Sequence, residues 1–208
     1  MYILPEFHEK DWPKLIDFIS RNPFATLIGA NGQTPVATQI PLMLDEKEGK
    51  YFLKGHFMRN TDHHLAFEKN NQALVLFHGP SGYVSASWYD KKNVGSTWNY
   101  VTVHARGELS FLPEEELIKE IEKLTGHFEG KNSPASFSEL TEDYIQKMVK
   151  AIVGFSIGIK ELDGIYKLSQ NHPETNRESI MMHLQHRGAY ADAELVKYMR
   201  KEKSTKQK

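Results

Sequence analysis

Short runs of alternating apolar and polar residues dominate the first half of the chain and predict β-structure. Asn31-Gly32 separates the first two runs, and this pair is a strong hairpin signal because a tight turn needs positive φ at both positions. The spacing leaves no room for the crossovers that parallel strands need, so we predict an antiparallel barrel. The runs cover residues 24–30, 36–44, 50–56, 73–78 and 97–109.

Helical periodicity lies at the flanks of these runs and in the second half of the chain. A β run at 151–162 closes the predicted sheet, and Thr175-Asn176-Arg177-Glu178 fits a capping box that opens a C-terminal helix. We expect one domain over residues 1–208, with its barrel at about 22–165 and a helical extension at about 173–203. The fold class is therefore mainly β with peripheral helices. The predicted helices cover 11–21, 61–69, 112–128, 138–150, 175–186 and 191–201.

Residues 77–104 are the most aromatic stretch of the chain. They include Trp88, Trp98, Tyr83, Tyr89 and Tyr100. Gly79-Pro80 and Ser81-Gly82 within this stretch predict turns. A dense aromatic cluster between two strands packs either in a core or interface or against a flat ligand, and the pattern alone leaves both open.

Composition and charge narrow the possible functions. The chain has no cysteine, which excludes disulfides, thiolate nucleophiles and cysteine-ligated metals and fits the cytoplasmic location that we expect. Neither a signal peptide nor a membrane span is recognisable in the sequence. The formal net charge of −1 lacks the positive excess of a nucleic-acid binder, so direct DNA binding is not favoured. The basic tail from Lys197 to Lys208 is interpreted as a solvated terminus.

The sequence contains no motif for an enzyme nucleophile, a phosphate-binding glycine loop or a metal site. The closest histidine pairs, His63-His64 and His183 with His186, lack acids at ligand spacing. The remaining candidate is the segment from Gly55 to Thr61, where a predicted strand leads into a helix start.

Arg59 beside free N–H groups at that helix start suits an anion, and Lys54 would add a second cation. The alternative is that Arg59 is a solvated loop residue. Together with Gln39, Trp98 and Asn99, the pattern favours a flat, phosphorylated ligand.

Several specific motifs, spread in order over nearly the whole chain, match those of a known family. The chain resembles the PaiB-like family of FMN-binding transcriptional regulators, within the split-barrel flavoproteins that include the pyridoxamine-phosphate oxidases. The motifs are Asn22-Pro23-Phe24-Ala25-Thr26-Leu27, Gly55-His56 with Arg59, Phe77-His78-Gly79-Pro80, Tyr83-Val84-Ser85-Ala86-Ser87-Trp88-Tyr89, Ser96-Thr97-Trp98-Asn99-Tyr100, Ile152-Val153-Gly154-Phe155 and Lys167-Leu168-Ser169-Gln170-Asn171.

This resemblance implies a six-stranded antiparallel FMN-binding split β-barrel and a homodimer that holds FMN at its interface. By analogy, the phosphate meets the end of the third strand and the next helix start, and the flavin ring meets the second strand. Trp98 and Asn99 would come from the partner chain or from the cavity wall. The phosphate-side residues would be Lys54, Gly55, His56, Arg59, Asn60 and Thr61, and the ring-side residues Thr38, Gln39, Ile40 and Pro41.

The chain departs from the common family pattern in these same segments. Gln39 stands where a histidine is expected, and Asn60-Thr61-Asp62 replaces the usual Ala-Asn-Pro. We therefore expect a sub-branch with altered flavin contacts.

Three functions remain open on the sequence. The first is a flavin-dependent regulatory or sensing protein, such as a transcriptional regulator. The second is an FMN-dependent oxidoreductase of the pyridoxamine-phosphate oxidase type that uses NAD(P)H or another small substrate, with the cofactor supplying the redox chemistry. The third is a dimeric barrel whose aromatic stretch is only core.

Overall fold

A computed structural model describes residues 4–90, 93–130 and 132–202. The chain forms two compact units, each assembled from segments that are distant in sequence. The prediction of one domain over 1–208 stays a prediction. The first unit takes 1–16, 78–103 and 163–208, and the second takes 17–77 and 104–162.

An eight-stranded sheet is the main element of the described fold. The strands are β1 (His8–Glu9), β2 (Phe24–Asn31), β3 (Thr34–Pro41), β4 (Met43–Lys47), β5 (Lys50–Met58), β6 (Gln72–Val84), β7 (Thr97–Phe111) and β8 (Ile152–Lys167). Their order in the sheet is β3-β2-β6-β7-β8-β5-β4, with β1 paired to β8. The pairs β1–β8, β2–β3, β2–β6, β4–β5 and β5–β8 are all antiparallel, which confirms a mainly antiparallel β fold. The described sheet is open between β3 and β4, so the six-stranded barrel stays a prediction.

The helices fall where the 3.6-residue periodicity predicts them, including the two C-terminal helices. The capping box at 175–178 is wrong, because the helix already begins at Glu174 after Pro173 and leaves Asn176 and Arg177 buried inside it. The helices are α1 (Trp12–Arg21), α2 (Asp62–Lys69), α3 (Glu114–Glu129), α4 (Glu142–Ala151), α5 (Glu174–Arg187) and α6 (Asp192–Lys201).

The turns predicted at Gly79-Pro80 and Ser81-Gly82 are also wrong, since β6 continues through all four residues. Gly82 has a packing reason instead. A Cβ placed on it would lie 2.8 Å from Leu195 Cδ2 and 3.2 Å from Asp192 Oδ1, so glycine lets the start of α6 approach the strand.

In the second unit, the sheet and helices position the end of β5. Alternate residues along each strand point inward and form the core, among them Leu27, Leu53 and Phe155. Helix α2 lies close to β2, because a Cβ on Gly29 would lie 2.6 Å from Phe67 Cζ. This packing fixes where the N-terminus of α2 lies.

Candidate functional site

Arg59 follows β5 and binds the end of helix α4. Its backbone N–H donates to Ala151 O at 2.9 Å, its Nε donates to Lys150 O at 3.1 Å, and its Nη2 donates to Ile152 O at 2.9 Å. These carbonyls carry the partial negative charge of a helix C-terminus, which suits a guanidinium. Within the described chain, Nη1 has no protein partner and is available to a ligand.

The start of α2 lacks a side-chain cap. Thr61 occupies the N-cap position, but its hydroxyl donates to Met58 O at 2.8 Å instead of capping the helix. Asn60 adopts a left-handed φ of 62°, and its N–H donates to His64 Nδ1 at 3.0 Å. Asp62 accepts the N–H of His63 at 2.8 Å. The helix start therefore offers N–H groups to an anion, although the Asp62 carboxylate weakens the local positive potential.

Lys54 is already paired with two carboxylates. Its Nζ lies 2.9 Å from Asp45 Oδ2 and 2.8 Å from Glu120 Oε1, and Lys123 also binds Asp45 at 2.6 Å. Burial acts to lower the pKa of Lys54, but the hydrogen bonds to Glu120 and Asp45 outweigh burial and raise it. Lys54 is therefore protonated, and two carboxylates balance its charge. It connects α3 to β4 and β5 and does not offer a free cation to a ligand.

Gly55 and His56 follow Lys54 along β5 on opposite faces. A Cβ on Gly55 would lie 2.8 Å from Leu42 Cδ2 and 3.1 Å from Pro41 O, so this glycine permits close packing inside the unit. His56 is half-buried, and its burial lowers its pKa, which keeps the imidazole neutral near pH 7. Gly55 therefore shapes the strand, and His56 offers a neutral polar ring.

The predicted ring-side residues lie on β3, against which α2 packs. Ile40 points into the core, whereas Gln39 is exposed on the opposite face and Thr38 and Pro41 are half-buried. Of these four, Gln39 has the side chain that a ligand reaches most easily. The second unit thus contains ten of the twelve predicted residues, on β3, on β5 and at the start of α2.

Trp98 and Asn99 belong to the first unit. As successive residues of β7 they point to opposite faces. Trp98 is 56% exposed, whereas Asn99 is fully buried, accepts a hydrogen bond from Ser169 Oγ at 3.0 Å and donates to Met199 Sδ at 3.7 Å. Asn99 is an internal anchor for β7, and Trp98 is the member of the pair that is open to a ligand.

Trp98 lines a cleft of about 390 Å³ with Tyr83, Tyr190, Arg187 and Asp192. Its aromatic wall is the T-shaped pair of Tyr83 and Trp98, whose ring centroids are 6.0 Å apart. The Arg187 guanidinium donates to both oxygens of Asp192, at 2.8 and 2.6 Å, and to Tyr83 O at 2.9 Å. A bidentate pair of this kind makes the cleft wall rigid.

The Arg187–Asp192 pair gives the first unit an acid-sensitive contact. Hydrogen bonds from Arg187 hold the pKa of the buried Asp192 below its usual value. A depressed carboxyl pKa stabilises the fold above the unfolded-state pKa of about 3.9, and this stabilisation is lost as the pH falls through the lower folded-state pKa.

We therefore expect the free energy of unfolding of the wild type to fall between about pH 5 and pH 2, and that of Asp192→Asn to fall less. Urea unfolding at pH 7 and at pH 3 measures both slopes. Asp17→Asn, which breaks an exposed pair with Arg21, is the matched control. Equal pH dependence in the wild type and Asp192→Asn would contradict the prediction.

A larger cavity of about 590 Å³ lies in the second unit, and none of the predicted residues line it. Its wall includes Tyr51, Phe52, Ser110 and Ser156. Its charged lining residues are Lys50, Glu108 and Lys160, of which Glu108 and Lys160 form an ion pair. The sequence carried no signal for this cavity, because its residues come from three strands whose proximity depends on the sheet order.

The described residues contain no group of three or more histidine or acidic side chains that could hold a metal ion. None of their helices is long and apolar enough to cross a membrane.

The fold is similar to those of several solved structures. The structure is similar to the flavocytochrome Anf3 from Azotobacter vinelandii, with a TM-score of 0.61 and 13% identity over 80% of this chain and 72% of that chain. It is also similar to the FAD and heme binding protein from Mycobacterium smegmatis, with a TM-score of 0.58 and 18% identity over 77% and 73% of the two chains. At this level of identity the likeness shows a shared fold.

Sequence comparison shows the family. A family model described as "Putative FMN-binding domain" matches residues 1–161. The chain is also 34% identical over 186 residues to the Protease synthase and sporulation protein PAI 2 of Bacillus subtilis (strain 168), which covers 89% of each protein. The residue motifs, the sheet and both sequence matches agree, and the chain belongs to the PaiB-like family of FMN-binding domains.

Proposed function

We propose that this protein is a flavin-dependent regulatory or sensing protein. FMN is the cofactor of its family, and its phosphate binds Arg59, Asn60, Thr61 and the N–H groups at the start of α2. The residues present fit a phosphate because Arg59 Nη1 is unpaired in the described chain and α2 starts without a side-chain cap. Bound FMN supplies reversible electron and hydride transfer.

The flavin ring lies along β3 in this proposal. Gln39 provides the polar contact, and the backbone of Thr38, Ile40 and Pro41 provides the surface. Trp98, exposed on β7 of the first unit, is proposed as an aromatic contact of the flavin, either from the partner chain or from the cavity wall, and Asn99 holds β7 in place. Lys54, Gly55 and His56 shape the end of β5. We also propose a cytoplasmic homodimer that has FMN at its interface and completes a six-stranded split barrel.

The observation that carries a sensing role is the double use of Arg59. The same guanidinium binds the carbonyls at the end of α4 and faces the proposed phosphate position. A ligand shifts an equilibrium only through contacts that differ between two states. A phosphate on Nη1 partly neutralises the guanidinium charge that also attracts Lys150 O and Ile152 O, so FMN binding weakens the hydrogen bonds that hold the end of α4.

Hydrogen exchange of the full chain with and without FMN tests this coupling. We expect the last turn of α4 to exchange faster when FMN is bound, with α1 as an internal reference. Unchanged exchange in α4 at saturating FMN would reject the coupling while leaving FMN binding intact.

The name of the B. subtilis relative, which refers to protease synthesis and sporulation, supports a regulatory role. The net charge of −1 argues that regulation does not depend on non-specific DNA contact. An electrophoretic shift on candidate promoters that weakens with salt would instead support direct binding. Oxidation of NADH faster than that by free FMN would favour the oxidoreductase function.

Arg59→Ala is expected to weaken FMN binding about 10-fold to 100-fold, since hydrogen bonds to charged groups contribute roughly 1.5–3 kcal/mol. Arg59→Lys should recover part of this affinity, because lysine keeps the charge but not the forked geometry. Quenching of FMN fluorescence on titration with protein measures the Kd. Arg21→Ala, which removes an exposed arginine of the same unit, should leave the Kd unchanged. An unchanged Kd in Arg59→Ala would refute the proposed phosphate position.

A further inference from the structure

Lys167, the last residue of β8, has an unusual environment in the first unit. Its Nζ donates to Thr97 Oγ1 and to Trp98 O, the latter at 2.7 Å, and lies 5.9 Å from the centre of the Phe7 ring. These contacts fix the ammonium group in a half-buried position. An ammonium group has three donors, so one N–H remains for a further acceptor.

The other partly buried cations of the described chain are paired with acids. Lys14 binds Glu9 and Glu202, Lys54 binds Asp45 and Glu120, Arg177 binds Glu174, and Arg106 lies 4.0 Å from Glu161. Lys167 has no carboxylate within 4.0 Å among the described residues, and none of the remaining positions is an aspartate or glutamate.

The ionisation of these lysines follows from the pairing. Carboxylate partners raise the pKa of Lys14 and Lys54 despite their burial, whereas burial lowers the pKa of Lys167. A half-buried charge without a partner is costly. Among the described residues, Lys167 is therefore a half-buried cation without a counter-ion.

The segment after Lys167 is held rigidly. Ser169 adopts a left-handed φ of 60° while its hydroxyl donates to Asn99. The Gln170 side chain donates to Glu6 O at 2.9 Å and to Tyr166 O, and it accepts the N–H of Leu168 at 2.8 Å. A non-glycine residue in this conformation persists only where its surroundings enforce it, and such residues cluster at binding sites.

We propose that Lys167 is the cationic contact of a second binding site, separate from Arg59, for a ligand that carries a phosphate or carboxylate group. Thr97 and the carbonyl of Trp98 orient the ammonium group, and the ligand oxyanion accepts its third N–H and supplies the missing negative charge. The oxyanion belongs to a small acid distinct from the FMN that is proposed to bind at Arg59.

Amine labelling of the full-length wild type tests this site. The acetylation of each lysine by an N-hydroxysuccinimide ester is followed by mass spectrometry in sodium chloride, inorganic phosphate, acetate, riboflavin or FMN, at equal ionic strength and pH. A bound oxyanion covers Lys167 and stabilises its protonated form, so labelling should slow at least threefold and saturably. Lys147, an exposed lysine paired with Asp143, is the internal control.

The different solutions distinguish the possible ligands of Lys167. Protection by phosphate or acetate supports a separate site for a small acid, whereas protection by FMN but not by riboflavin, phosphate or acetate would place the flavin phosphate at Lys167 and overturn a site separate from Arg59. Equal labelling of Lys167 in all solutions overturns the proposal.

Two variants give a second measurement. Lys167→Met should weaken binding of the protecting anion at least tenfold by calorimetry, and Lys167→Arg should stay within about threefold of the wild type, because arginine keeps the charge. If a separate acid is the ligand, the FMN Kd of Lys167→Met stays normal, which distinguishes this site from that of Arg59. Equal anion affinity in Lys167→Met and the wild type also overturns the proposal.

Discussion

Gly107→Ala is expected to destabilise the second unit by more than about 3 kcal/mol, one of the largest effects that a single methyl group produces. A Cβ on Gly107 would lie 2.0 Å from the carbonyl oxygen of Gly158 and 2.9 Å from its carbon. The obstacle is the backbone of the neighbouring strand rather than a flexible side chain. Strands β7 and β8 would have to separate locally, which breaks ladder hydrogen bonds and exposes the core beneath.

Urea unfolding followed by circular dichroism measures this loss. The matched control is Gly126→Ala in α3, where a Cβ has nothing within 4 Å. That variant should gain up to about 1 kcal/mol, because alanine is the better helix former. A Gly107→Ala protein within about 1 kcal/mol of the wild type would show that the two strands can move apart without loss.

Arg177→Met is expected to cost about 3 kcal/mol of stability in the first unit, where hydrogen bonds from a charged donor contribute roughly 1.5–3 kcal/mol each. Arg177 is 1% exposed, although it carries a full charge. Its Nη2 donates to Met199 O and Glu202 O at the end of α6, and its Nη1 donates to Glu174 at 3.1 Å. Methionine fills a similar volume but leaves the end of α6 without donors.

The loss is smaller than the sum of these bonds because Arg177 Nε is buried without a partner, and methionine removes that unpaired group. Thermal unfolding measures the change, and hydrogen exchange should show the loss concentrated in α6. Glu174→Gln is the control, since Glu174 is half exposed and its pair with Arg177 contributes less. If Arg177→Met were as stable as Glu174→Gln, the carbonyl contacts of Arg177 would be unimportant.

Much of the fold could be predicted from local pattern. Asn31-Gly32 and the alternating runs indicated antiparallel strands, and helical periodicity indicated the flanking helices. The turns predicted at Gly79 to Gly82 were wrong because glycine also occurs where two elements pack closely. Only the position of α6 shows that Gly82 has this packing role. The predicted return strand 36–44 divides at Leu42, whose N–H donates to Pro23 O at 2.8 Å. That contact joins distant residues and leaves no local signal.

The candidate site could be predicted only in part. Arg59 and the start of α2 are adjacent in sequence, so a local pattern located them. The partners of Arg59, at the end of α4 and the start of β8, lie about 90 residues further along, with sequence separations of 91 and 93. Lys54 illustrates the same limit: its charge is visible in the sequence, but its neutralisation by Asp45 and Glu120 is not.

By itself, the sequence determined the antiparallel strands, the flanking helices and the FMN-binding family, and it predicted the segment from Lys54 to Thr61 as a candidate site. Each of these depends on residue type and short-range periodicity, which the chain order records directly. Only the tertiary structure decided which cations are free. Ionisation and availability depend on groups that folding brings within about 4 Å, whatever their distance in sequence. For this reason Lys54 proved to be neutralised, Arg59 tied to the end of α4, and Lys167 left without an acid.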